Sequence, residues 1–472
     1  MRVRWPLLAV LAVQSALSAS MVRARTAFGD EALYLSAGHL EWSHWLHGTQ
    51  IPAYETWFSG APVIYPPVGA IADSVGGLPA ARLLSLIFML GVTCFVWGTA
   101  ARLLADERAA FFAAALFAVL APTLHLGSYA TYDAPALLLL AAATWCAAGA
   151  RGGENATRRM VAAGVLLALA NATKYATALY DPTVLAVIML SAWPEAGWKA
   201  AVRRAAVVAG TAAAVLGVLL ALGGSGYLTG INATTTGRPQ GTDTASLVFA
   251  DAWWWTAVVL VPALAAAVVG AVLVTTGRRR WPQALLLAVL ALSALLAPAD
   301  QARIQTTVSL NKHVDFGAWF AAIAAGYLLS LLSRRRVVLA VALAALIPVT
   351  TVGIAQARTM VDWPDVTGLV KVVRPLTDHG GNFLVETSDV LQYYLPDTTW
   401  RQWSSTAGNT PQYFKQAIAR HYYSVVVLSF NQTLATDYAI ALYLSANSSY
   451  RLAARVTAGN TVFYVWEYAP WV

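Results

Sequence analysis

Uncharged apolar runs alternate with polar stretches along most of this 472-residue chain. They fall at 5–22, 83–101, 109–124, 134–150, 160–173, 182–193, 205–222, 253–275, 282–298, 317–333 and 337–355. Most reach the roughly 17–25 residues that a helix needs to cross the hydrocarbon core of a bilayer. The pattern predicts a polytopic all-α membrane domain of about eleven spans over residues 1–355. The runs 160–173 and 182–193 are short and separated only by 174–181. They read either as two short tilted spans or as one segment that dips in and returns.

Beyond residue 355 the period changes. Strand-like runs appear at Phe383–Glu386, Ser424–Phe430, Tyr450–Val456 and Thr461–Tyr468. Helical patterns appear at Pro411–Arg420 and Asp437–Ser445. Residues 356–472 therefore read as a small soluble α/β domain, long enough for a core of its own. It contains no catalytic motif, so a structural or acceptor-docking role is expected for it.

Composition sharpens this reading. The chain is 58% hydrophobic and 11% charged, against roughly a quarter charged residues in soluble proteins. The net charge of +8 invites a nucleic-acid reading, but the placement of the charges excludes it. With the N-terminus inside, the inner loops hold Arg2, Arg4, Arg102, Arg108, Arg151, Arg158, Arg159, Lys199, Arg203, Arg204, Arg278, Arg279, Arg280, Arg334, Arg335 and Arg336. Only Asp106, Glu107, Glu154 and Glu195 oppose them. This is the positive-inside asymmetry of a multi-pass protein of the cell membrane. It puts the N-terminus in the cytoplasm and the C-terminal domain outside. Residues 1–22 also have the layout of a signal peptide, with small residues near Ser18–Ser20; an uncleaved first span is the expectation. Cys94 and Cys146 sit in apolar runs and read as packing residues.

Two outer segments are too long for connectors. Residues 23–82 carry Asp30 and Glu31, then an amphipathic helix predicted from Leu33 to Leu46 with Trp42 and Trp45, suited to lie in the interface. His39, His44 and His47 share that stretch, and interfacial histidines without a ligand role are expected. Residues 223–252 are rich in Gly, Thr and Asn and read as a mobile loop. It fits a lid over substrate or a plain connector.

Charges at span ends are costly unless they face a polar cavity. Asp30, Glu31, Arg82, Asp133, Lys174, Asp181, Lys312, His313 and Asp315 all stand at the outer ends of spans. That set suits transfer of a sugar from a lipid phosphate. An acceptor hydroxyl needs a carboxylate to take its proton, and a polyprenyl phosphate leaving group needs basic side chains or a metal.

At these residues the chain resembles the GT-C superfamily of membrane glycosyltransferases. It is most like the family 39 branch of protein O-mannosyltransferases and aminoarabinose transferases. The resemblance lies in Asp30-Glu31-Ala32-Leu33-Tyr34, in Ala80-Ala81-Arg82-Leu83-Leu84-Ser85, in Tyr132-Asp133-Ala134-Pro135 and in Asn171-Ala172-Thr173-Lys174-Tyr175. Tyr175 stands where the family usually has Gly near the Lys. The resemblance implies a polyprenyl-phosphate-linked sugar donor, with Asp30 as base and Glu31 and Asp133 as further acidic groups. Arg82 and Lys174 would hold the donor phosphate, and charge and location add Lys312 and His313. It also implies an inverting transfer to a protein, lipid or polysaccharide acceptor, with a divalent metal in some members. A transporter or flippase of lipid-linked saccharides would want charges along a path and matching halves, and neither is visible. A polymerase or ligase of lipid-linked glycans would use the same face.

Overall fold

A computed structural model describes residues 5–149, 154–277, 280–333 and 337–469. Of the basic residues that suggest an orientation, Arg2, Arg4, Arg151, Arg278, Arg279, Arg334, Arg335 and Arg336 lie outside the described residues. The chain forms two compact units. One comprises Met1–Val22 with Glu41–Met360, the other Arg23–Leu40 with Val361–Val472.

The first unit is helical, and each of the apolar runs lies on helix. In order come α1 (Trp5–Ala19), α2 (Gly29–His47, whose first half belongs to the second unit), α3 (Tyr65–Leu104), α4 (Glu107–Ala118), α5 (Ala121–Leu126), α6 (Asp133–Ala148) and α7 (Glu154–Thr173). A 3-10 turn, Tyr175–Tyr180, leads into α8 (Asp181–Ala196). Then follow α9 (Trp198–Thr234), α10 (Ala245–Thr275), α11 (Trp281–Leu292), α12 (Leu296–Arg303), α13 (Leu310–Leu332) and α14 (Val338–Thr359). Seven helical stretches among the described residues are long and apolar enough to cross a membrane, and α1 and α6 are shorter apolar helices. The pair 160–173 and 182–193 resolves into two separate helices, α7 and α8. At ~1.5 Å per residue, α7 is about 30 Å long.

Alanine and glycine let these helices approach closely, as expected where packing rather than hydrophobic transfer joins helices in lipid. The central element is α13, buried along nearly its whole length, with Phe316, Trp319, Phe320 and Ile323 among its buried side chains. It packs against α4 and α10.

Both expected outer loops are largely helical. In 23–82 the helix α2 starts at Gly29, so Asp30 and Glu31 occupy its first turn. Helix α3 begins at Tyr65 and passes through a kink at Gly76–Gly77. In 223–252, helix α9 continues to Thr234 through a kink at Gly224, and α10 starts at Ala245, leaving only 235–244 irregular. Gly224 has φ 73° and ψ −165°, a conformation essentially restricted to glycine. One glycine thus redirects a helix that its glycine-rich composition disguises as a loop.

The second unit contains a five-stranded sheet of β1 (Asn382–Val385), β2 (Trp403–Ser405), β3 (Tyr423–Leu428), β4 (Tyr450–Ala458) and β5 (Thr461–Tyr468). Their order is β2-β1-β3-β5-β4. Strand β1 pairs parallel with β2 and β3, while β5 pairs antiparallel with β3 and β4. Helices α15 (Thr367–Thr377) and α16 (Ser388–Tyr394) cover one face, packed on Phe383, Val385, Val425 and Val427. Helices α17 (Pro411–Ala419) and α18 (Leu434–Ser445) cover the other, packed on Leu384, Val426 and Leu428. Burial on both faces explains the unbroken Val425-Val426-Val427-Leu428 run.

The division between the units differs from a cut at 355/356, because Arg23–Leu40 joins the C-terminal part. Trp363 Nε1 donates to Thr26 O at 2.8 Å, the Ala27 N–H donates to the Tyr394 hydroxyl at 2.7 Å, and the Phe28 ring meets Trp363 edge-on at 5.4 Å. These contacts bridge more than 300 residues of sequence and leave no local hydropathy signal.

Candidate functional site

The first unit gathers charge at the start of α6, the end of α7 and the start of α13. Asp133 opens α6 and Lys174 follows α7; they form an ion pair, at 1% and 3% exposure. Thr131 Oγ1 donates to the second carboxylate oxygen of Asp133 at 2.8 Å. Lys174 Nζ also lies over the Tyr132 and Phe316 rings, at 5.2 and 5.7 Å. The backbone fixes this corner. Tyr175 N donates to Ser59 O at 2.9 Å and Ala61 N to Ala172 O at 2.7 Å, while the Ser59 hydroxyl meets that of Tyr132. Between these contacts Gly60 approaches so closely that a Cβ there would stand 2.0 Å from Thr173 O.

Lys312 and His313, on the first turn of α13, are electrostatic neighbours of Asp133. Lys312 Nζ lies 5.6 Å over the Tyr129 ring, and His313 Nδ1 is 2.7 Å from Gln301 Nε2. Arg82 is buried and donates to Val22 O at 2.8 Å. It joins the same cluster through His125, which feels Lys312, Asp133 and Arg82 together. Thr123 Oγ1 donates to Asp315 at 2.7 Å, also on α13.

Beside the cluster opens a cavity of about 900 Å³. Its lining includes Leu216, Leu219 and Leu220 of α9 and Ile304, the basic side chains Lys174, Arg238, Arg303 and His313, and the carboxylates Asp181 and Asp300. Asp181 Oδ1 and Gln301 Oε1, on residues of the same wall, are buried without a hydrogen-bond partner among the described residues. Asn171 satisfies the other oxygen of Asp181 at 2.8 Å.

The structure thus divides the expected site residues of this unit. Lys174 and His313 line the cavity, whereas Arg82, Asp133 and Lys312 stand outside its lining. Arg238 was missed by sequence reasoning. Its signal was present, since it is the lone basic residue in 223–252, but that stretch read as a mobile loop. His125 carried no signal as one polar group within an apolar run, and Gln301 none as one polar residue among several in Asp300–Thr306.

Asp30 and Glu31 belong to the second unit. Glu31 is fully buried, and its carboxylate accepts from the Phe28 N–H at 3.0 Å, closing the first turn of α2. Asp30 is half-buried and lines a cavity of about 390 Å³ with Asp389 and Trp363. Burial, then the charge of Asp30, pushes the Asp389 carboxyl up to about 6. His39, His44 and His47 are exposed, and His44 Nδ1 is engaged with Thr49 O at 2.8 Å. Among the described residues no group of three or more His, Cys, Asp or Glu side chains could hold a metal ion.

Residues 71–222 match the family model of dolichyl-phosphate-mannose-protein mannosyltransferases, a stretch that includes Arg82, Asp133 and Lys174. No match was found among curated protein sequences. Several solved structures resemble the chain over most of its length, two of them as follows. The archaeal oligosaccharyltransferase AglB from Archaeoglobus fulgidus, in complex with an inhibitory peptide and a dolichol-phosphate, is 13% identical with a TM-score of 0.60, covering 93% of this chain and 71% of that one. ArnT from Cupriavidus metallidurans, bound to undecaprenyl phosphate, is also 13% identical with a TM-score of 0.60, covering 97% of both chains. The chain shares the fold of these two solved structures. The likeness extends through both units, well beyond the stretch 71–222.

Proposed function

We propose that this chain is a glycosyltransferase that moves a sugar from a polyprenyl-phosphate carrier to an acceptor hydroxyl at the outer face of the cell membrane. The observation that carries the reading is the mixed apolar and basic lining of the larger cavity. A lipid phosphate needs an apolar groove for its chain and cations for its head, and leucines and Lys174, Arg238 and Arg303 supply both. The solved relatives that hold dolichol-phosphate or undecaprenyl phosphate support the same donor class.

Asp30 is assigned as base. The acceptor oxygen attacks the anomeric carbon, its proton passes to the Asp30 carboxylate, and the bond from that carbon to the phosphate oxygen breaks. The electron pair leaves on the polyprenyl phosphate, which Lys174 and Arg238 stabilise. Attack opposite the leaving group inverts the anomeric centre. Asp133, held by Lys174 and Thr131, organises the lysine rather than acting as a second base. Glu31 caps α2. Arg82 and Lys312 set the potential of the cluster, and His313 stands at the donor cavity.

The test uses membranes containing the protein and a set of radiolabelled polyprenyl-phosphate monosaccharides. Asp30→Asn is expected to lower transfer by roughly 100-fold or more, and Lys174→Met to weaken donor use. Undiminished transfer by Asp30→Asn overturns the base, and transport of lipid-linked sugar without transfer overturns the enzyme reading. The outer-face assignment has its own check in a background lacking Cys94 and Cys146. A cysteine at Ser449 should label in intact cells, and one at Lys199 only after permeabilisation.

A further inference from the structure

The smaller cavity lies at a defined place in the sheet of the second unit. From β1 the chain leaves through α16 on one face to reach β2, then returns through α17 on the opposite face to β3. The connections diverge between β1 and β3. In open α/β sheets the crevice beyond the carboxyl ends of the strands at such a switch point is where ligands bind. Its wall here is built by the segments that leave those two strands. Glu386, Thr387 and Asp389 follow β1, and Ser429, Asn431 and Gln432 follow β3.

The two carboxylates after β1 do different things. Glu386 accepts from the Asn431 and Thr433 N–H groups, both at 2.9 Å, and from Gln432 N and Ser429 Oγ. It therefore shapes the loop after β3. Asp389, largely buried, has its own backbone N–H as its hydrogen-bond donor among the described residues. Its carboxyl and the Asn431 and Gln432 amides are placed for a ligand.

The character of the lining selects the ligand. Among the described residues it includes Asp30, Glu386 and Asp389 but no Lys, Arg or His, so an anionic phosphate headgroup would meet only like charge. Phe28, Trp363 and Phe463 add apolar faces, against which the C–H side of a sugar ring packs while its hydroxyls reach carboxylate and amide. The volume, about 390 Å³, sits near the small end of the range of roughly 300–1,000 Å³ for ligand pockets. That suits one or two sugar rings better than an extended peptide.

We propose that this cavity binds a neutral, hydroxyl-bearing saccharide unit, the acceptor end of a glycan, with Asp30 and Asp389 as its hydroxyl acceptors. This rests on the glycosyltransferase reading and adds the acceptor class to it. Full-length protein in nanodiscs is presented with fluorescent neutral oligosaccharides of several compositions, with phosphate-bearing versions of the same glycans, and with a Ser/Thr-rich peptide. Undecaprenyl phosphate binding is measured in parallel. Neutral glycans are expected to bind in preference to the other two probes. Asp389→Asn and the cavity-filling Thr387→Trp should each weaken them about ten-fold, with undecaprenyl phosphate binding unchanged as proof of folding. Asn431→Ala, a smaller change in the same wall, serves should Thr387→Trp fail to fold. Absence of neutral glycan binding, equal binding of phosphorylated glycans, preference for the peptide, or glycan binding that survives the wall variants each overturns the proposal. Glycan binding without undecaprenyl phosphate binding in the unaltered protein would instead overturn the donor assignment and leave the saccharide site standing.

Discussion

Asp133 and Lys174 are both inaccessible, and each is tolerable there only because the other is present. Removing one partner of a buried pair leaves an uncompensated charge, at a cost of about 3–5 kcal/mol. Asp133→Asn is therefore expected to lower the thermal midpoint of the detergent-solubilised protein sharply, and the double variant Asp133→Asn, Lys174→Met to recover part of the loss. Asp389 gives the opposite sign. Its carboxyl is raised from 3.8 to about 6 in the folded chain, so between those values the folded state binds more protons than the unfolded one. Stability then falls as pH rises from about 4 through 6, by up to roughly 3 kcal/mol. Asp389→Asn should melt higher than the parent protein at pH 7, with the difference vanishing near pH 4. Charged residues such as Asp30, Lys174 and Lys312 were legible in the sequence because charge at the end of an apolar run stands out. Asp389 was not, since a carboxylate in soluble-looking sequence is ordinary until its surroundings are known.

At the scale of elements, apolar and strand-like runs located the long apolar helices, α17, α18 and four of the five strands, but not α15 or α16. Strand β2, only Trp403–Ser405, is too short to alternate visibly. The helix read over Leu33–Leu46 falls within α2, whereas 223–252 was misread. Its glycines and polar residues look like loop, but much of it is helical, and α9 packs on the turn Tyr54–Thr56. Gly60 shows how tightly one such connection fits. Gly60→Ala would force its Cβ against Thr173 O, displacing the backbone that carries Lys174. A loss of about 1–3 kcal/mol and weaker undecaprenyl phosphate binding are expected together, read by thermal melting and by lipid-binding titration. Gly224→Ala places a Cβ in a conformation costing roughly 1–3 kcal/mol, and it should lower the melting midpoint by straightening or straining α9.

For the whole molecule, the second unit is discontinuous in sequence. A fragment of residues 361–472 lacks Thr26, Ala27 and Phe28, which engage Trp363 and Tyr394. It should melt below the same fragment joined to residues 23–40 by a flexible linker, as circular dichroism would show. Equal melting would mean that Arg23–Leu40 is not part of the folding unit. The sequence alone determined that this is a membrane protein with a small α/β domain, because hydropathy and strand period are properties of neighbouring residues. Basic-residue bias supplied an orientation by the same local means. Only the tertiary structure decided that residues 23–40 fold with the tail, that Arg238 joins Lys174 in one cavity and that Asp30 shares another with Asp389. Those groupings depend on contacts between residues tens to hundreds of positions apart, which packing fixes and no local pattern encodes.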